Sequence, residues 1–111
     1  MSFASTEGRE VKDQAAMLIR AIPETMRGYQ ALMRAAAVEG ALSAKVKELM
    51  ALALAITSHC EGCIVYHIEN AIRHGATRDE VAETIGVAVM MGGGPATVFG
   101  GKALAAYDKA I

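Results

Sequence analysis

Both cysteines and all three histidines of this 111-residue chain fall in one stretch, SHCEGCIVYHIENAIRHG, from Ser58 to Gly75. A C-x-x-C pair can be a redox couple, part of a metal clamp, or two small apolar fillers of a core. On a helix, Cys60, Cys63 and His67 stand at i, i+3 and i+7 and share one face. Ser58 followed by Glu61 matches a capping box, which would start the helix there and put Cys60 in its first turn. Unpaired backbone N–H groups and the helix dipole stabilise a thiolate at that end. His67, one turn beyond Cys63, is placed to exchange a proton with it. The same residues could bind zinc, with His59 or Glu48 as a fourth ligand, but no second C-x-x-C or histidine pair completes the usual set.

The elements around this stretch read as helices throughout. Arg9 to Ala21 carries Val11, Ala15, Leu18 and Ile22 at spacings of three to four. Pro23 suits the first turn of a second helix, running to about Glu39 and closed by Gly40. Ser43 caps a third, Ala44 to Thr57, whose second half, LMALALAI, is apolar all round and is expected to be buried on every side. The helix from Ser58 ends at Gly75. Thr77 and Glu80 form a further capping box, opening a helix with Val81, Ile85 and Val89 on one face and stopped by Gly92. Pro95 opens the last helix, to about Lys109. No segment alternates with period two. The expected fold is all-α: a compact bundle of about six helices, residues 1–111 forming one domain.

The near-absence of a linker at Ser58–His59 favours an antiparallel hairpin of the third and fourth helices. At about 1.5 Å per residue, Glu48 lies roughly 14 Å back from the turn and His67 roughly 13 Å forward, at one level. A carboxylate there could orient the imidazole and stabilise its protonated form. Taken alone, Glu48 beside Lys45 and Lys47 reads as an ordinary solvated carboxylate.

Composition narrows the function classes. Hydrophobic residues make up 53% of the chain, five residues are aromatic, and the formal net charge is −1. No basic block points to nucleic acid, and nothing points to a membrane anchor. The N-terminus MSFASTEGREVKDQ lacks a signal-peptide layout, and the uncharged run Ile85–Gly101 is too short to span a bilayer. A cytoplasmic protein is expected, and in a reducing compartment such a cysteine pair is catalytic or metal-binding rather than a staple. The apolar surplus over one small core points to a subunit interface.

Glu48, Cys60-Glu61-Gly62-Cys63 and His67 together resemble the E-x11-C-x2-C-x3-H signature of the AhpD-like alkylhydroperoxidases, within the carboxymuconolactone decarboxylase superfamily. MMGGGPATVFGGKALAAYD is similar to the small-subunit branch of that family. The resemblance spans roughly Pro23 to Asp108. It implies an all-helical subunit assembling into a homo-oligomer, a trimer or a hexamer, and a thiol-dependent peroxidase. Such an enzyme needs no cofactor and no metal. Its partners would be a hydroperoxide substrate and a dithiol reductant that the sequence does not identify.

The resemblance also implies the roles: Cys63 attacks the peroxide, Cys60 resolves, and His67 and Glu48 relay the proton. The dipole alone would make Cys60 the more acidic thiol. The chain departs from the best-known peroxidase members, which carry a histidine between the cysteines where Glu61 and Gly62 stand here. Two other readings stay open: a lactone decarboxylase that needs no cysteine, and a redox- or metal-responsive oligomer without catalysis. Outside the motif, His74 reads as a helix C-terminal residue, His59 as a turn residue at the site mouth with tuning of Cys60 as its second role, and Tyr66 as a packing residue with lining of the pocket as its second role. The GGGP run lacks the strand and Lys-Ser/Thr of a phosphate loop and reads as a tight turn. Gly100-Gly101 suggest close helix approach, and Met90-Met91 core filling by default or else an adaptable interface or pocket wall.

Overall fold

In a computed structural model that describes residues 8–111, the regular structure is helical: α1 (Gly8–Ala21), α2 (Pro23–Ala37), α3 (Ala44–Thr57), α4 (Glu61–Arg73), α5 (Arg78–Gly92) and α6 (Gly94–Ala110). The described residues include no strand. Pro23 separates α1 from α2 because it has no N–H to continue the first helix and a φ suited to starting the second. Ser43 caps α3 by accepting the Val46 N–H at 3.1 Å. Thr77 and Glu80 form the reciprocal capping box of α5. The side chain of Val11 and the N-terminal residues 1–7, on which the signal-peptide reading falls, lie outside those described.

Two boundaries differ from expectation. The second helix stops at Ala37, with Val38 extended, rather than running to Glu39. Lys47 of α3 donates to the Ala36 and Val38 carbonyls at 3.0 and 2.7 Å, satisfying acceptors that the helix end leaves open. The fourth helix begins at Glu61 with Cys60 as its N-cap, not at Ser58, which is the C-cap of α3. It closes at His74, as expected for a C-terminal histidine, with Gly75 beyond.

The core is made by α3, α4, α5 and α6. Leu52, Ile56, Ile64, Ile68 and Val81 are fully enclosed, and Ala71, Ala88, Ala96 and Ala103 let the helices approach. Each enclosed Leu, Ile or Val contributes about 1.5–3 kcal/mol relative to exposure. Gly100 is a true close approach, since a Cβ there would sit 2.6 Å from Ile85 Cγ2, whereas Gly101 faces open space. The expectation that the second half of α3 is buried all round does not hold: Leu54 is 67% exposed and Met50 half exposed. Met90 and Met91 also face outward rather than filling the core. Helix α2 buries no residue. Among the described residues no helix is long and apolar enough to cross a membrane.

Candidate active site

The site lies along the α3–α4 hairpin. Helix α3 ends in a Schellman motif: the His59 N–H bonds the Ile56 carbonyl at 3.2 Å and the Cys60 N–H bonds that of Ala55 at 3.1 Å. His59 takes the left-handed position this turn requires, with φ 57°. The chain then enters α4 at once. Cys60 Sγ accepts the Cys63 N–H at 3.2 Å, so the first cysteine itself caps the helix that carries the second. Ser58 and His59 are consumed in ending α3, which is why the capping box anticipated at Ser58 and Glu61 does not form.

Cys60 and Cys63 are joined by a disulfide, with Cα atoms 5.3 Å apart. Cys60 is partly buried and Cys63 exposed. One turn beyond Cys63, His67 Nδ1 lies 2.7 Å from Glu48 Oε2 across the hairpin. Glu48 is the charged side chain that is buried among the described residues, at 7% exposure. Its burial requires a partner, and the imidazole supplies it. With Nδ1 engaged by the carboxylate, Nε2 is left for chemistry, the arrangement that sets tautomer and direction in acid–base histidines. The ring of Tyr66 meets that of His67 edge-on at 5.0 Å.

A cavity of about 400 Å³ opens between α2, α3 and α4 beside this pair. Tyr29, Met33, Arg34, Ala51 and Tyr66 line it together with Glu48 and His67, so Tyr66 takes the second of its two expected roles, as a wall residue. Neither cysteine is among its lining residues. The volume falls in the range of small-molecule sites. Sequence spacing placed Glu48 and His67 together but could not show this cavity, because α2 reaches it only through the tertiary fold.

His59 lies in the turn beside the cysteines, its ring stacked on Phe99 of α6 with centroids 4.7 Å apart and planes 11° from parallel. Lys102 of α6 pairs with Glu61 at 3.3 Å. His74 also borders the cavity, at the far end of α4. No group of three or more His, Cys, Asp or Glu side chains among the described residues is arranged to hold a metal ion.

Comparison with known proteins bears on the family and the fold. A protein of Cupriavidus necator, named only as uncharacterized, is 42% identical over 99 residues, 89% of this chain and 88% of that one. An uncharacterized protein of the Paracoccus denitrificans cox locus is 38% identical over 81 residues, 73% of each chain. The crystal structure of a carboxymuconolactone decarboxylase family protein from Legionella pneumophila, in its apo form, superposes with a TM-score of 0.88 at 41% identity, covering 92% and 91% of the two chains. A Thermotoga maritima protein of that family shares the fold at 23% identity, with a TM-score of 0.81 over 94% and 89% of the chains. Residues 23–107 match the carboxymuconolactone decarboxylase family, and with the all-helical fold this chain belongs to it.

Proposed function

We propose that the chain is an AhpD-like thiol peroxidase, a single domain whose Cys60–Cys63 pair cycles between dithiol and disulfide. One observation carries this reading: a bonded cysteine pair at the start of α4 is followed, one turn on, by a histidine held at 2.7 Å by a buried glutamate. The Cys63 thiolate attacks a hydroperoxide oxygen, forming a sulfenic acid and, after proton delivery from His67, releasing the alcohol. The Cys60 thiol then condenses with the sulfenic acid, expelling water and forming the disulfide. A dithiol carrier reduces it by exchange and leaves as its own disulfide. Glu48 orients His67 and offsets its charge while it holds the proton.

The greater exposure of Cys63 supports it as the attacked position, with Cys60, engaged as a helix cap, as the resolving one. Peroxide consumption by intact, Cys60→Ser and Cys63→Ser protein, supplied with a dithiol, tests the assignment. Trapping the first sulfenic acid and locating it by mass spectrometry should find it on Cys63. Equal consumption by all three proteins, or none by any, removes the peroxidase reading.

The subunit acts as a homo-oligomer, a trimer or a hexamer, in this reading. Support comes from the large apolar side chains left exposed on α1 and α2, such as Leu18, Tyr29 and Leu32, and on α3 and α5, such as Leu54 and Met91. A monomeric mass at micromolar concentration would remove it. A second reading rests on the cavity, which is walled by Glu48 and His67 but by neither cysteine. There the pair serves as acid–base machinery for a lactone, with the thiols as bystanders. Lactone turnover that survives alkylation of both cysteines would establish that alternative.

A further inference from the structure

We infer that His59 is held beside Cys60 for its ring, and that the imidazole stabilises the Cys60 thiolate and so favours the reduced form of the pair. The inference rests on the thiol-redox reading above and concerns a residue outside its Glu48–His67 relay. The backbone at this point has no need of an imidazole. Two helices of the chain end in the same Schellman motif. At the end of α4 the Gly75 N–H bonds the Ile72 carbonyl at 3.0 Å and the Ala76 N–H bonds that of Ala71 at 2.9 Å. There the left-handed position belongs to glycine, with φ 85°. At the end of α3 it belongs to His59, the described non-glycine residue with positive φ, at 57°. A side chain there costs conformational energy that glycine does not.

The structure gives the ring a defined place. It stacks on Phe99, which covers one face and anchors the turn to α6. No hydrogen bond among the described residues engages its nitrogens. Glu61, which opens α4, and Lys102 on α6 pair with each other at 3.3 Å. An imidazole offers an N–H donor when neutral and a positive charge when protonated, and either stabilises a neighbouring thiolate. The adjacent residue is Cys60, whose sulfur also receives the Cys63 N–H. Exchange with glutathione is balanced as protein disulfide plus two glutathione thiols giving protein dithiol plus glutathione disulfide. Stabilising the thiolate shifts this toward dithiol, the direction in which strongly oxidising pairs are tuned.

Wild type, His59→Gly and His59→Phe should be equilibrated in glutathione redox buffers, and the dithiol fraction read by alkylation and mass. Circular dichroism on melting checks the fold of each. The glycine variant loses the stack on Phe99 but relieves the left-handed backbone, so its melting point should stay close to that of wild type. The phenylalanine variant keeps a ring to stack on Phe99 but no donor. Both should shift the equilibrium toward disulfide, roughly three- to tenfold, where tenfold corresponds to about 30 mV. Equal constants for all three proteins would overturn the inference, as would a phenylalanine variant that matches wild type, which would leave only a stacking role. A wild type whose disulfide does not exchange at all would instead defeat the thiol-redox reading, and the inference with it. Wild-type exchange with unchanged variants defeats the inference alone.

Discussion

Helices α1 and α2 and the four helices that follow solve the burial of apolar residues in opposite ways. The α3–α6 unit encloses Leu52, Ile56, Ile64, Ile68 and Val81 completely, using alanines and Gly100 to bring helices close. The α1–α2 pair is amphipathic by sequence, yet α2 buries nothing and Leu18, Ile22 and Leu32 remain exposed. An apolar stripe at helical spacing therefore identifies a face to be covered, not the element that covers it. The candidate site sits at the boundary. Its ionisable pair belongs to the packed unit, while α2 closes one side of the cavity with Tyr29, Met33 and Arg34.

Six substitutions probe that contrast. The largest expected effect is on chemistry. Glu48→Gln keeps the side chain's shape but removes the buried charge that orients His67. Steady-state peroxide consumption should fall roughly 10²- to 10³-fold, the usual share of a general acid–base pair. Unchanged turnover would place the pair outside the reaction.

Next in size is stability. Leu52→Ala opens a void in the packed unit and should cost about 2–5 kcal/mol in urea denaturation. Leu32→Ala on α2, where the side chain is 64% exposed, should cost less than about 0.5 kcal/mol. Comparable costs would mean that α2 is covered in solution, and a concentration-dependent midpoint would identify a second copy as the cover.

A smaller contrast lies within α6. Gly100→Ala pushes a methyl group against Ile85 and should destabilise by about 1–3 kcal/mol. Gly101→Ala points into open space on the same helix and should stabilise by up to about 1 kcal/mol, through helix propensity. Equal effects, read from the same denaturation curves, would contradict the close α5–α6 approach.

The smallest effect concerns acid. The hydrogen bond from Lys45, at 2.8 Å, and those of the Thr77 capping box hold the Glu80 carboxyl below its ordinary range. A carboxyl depressed on folding stabilises the fold when ionised. The contribution is complete above its unfolded pKa and is lost as pH falls through the folded one. Glu80→Gln should therefore melt slightly below wild type at neutral pH, by about 1–3 °C for an exposed pair. The gap should close in acid. A gap that persists there would assign the effect to packing.

Much of the fold was legible because its signals are local. Ser43 and Thr77 cap their helices through side-chain bonds to backbone three residues away, and Pro23 separates two helices by lacking an N–H. The Glu48–His67 contact was legible for a different reason: a hairpin with almost no loop leaves helical rise alone to set the level of its two arms. The start of α4 was misread because Ser58-x-x-Glu61 is a valid capping pattern by composition. It gave way to the Schellman end of α3, whose carbonyls claim the N–H groups of His59 and Cys60.

The amino-acid order alone thus determined the six helices and the caps at Ser43 and Thr77, since these follow from interactions within a few residues. Tertiary structure decided which apolar faces are enclosed, how α2 walls the cavity, and that His59 rests on Phe99. Each of these depends on which distant helix arrives as neighbour, and hydrophobic attraction has no direction by which a sequence could announce it.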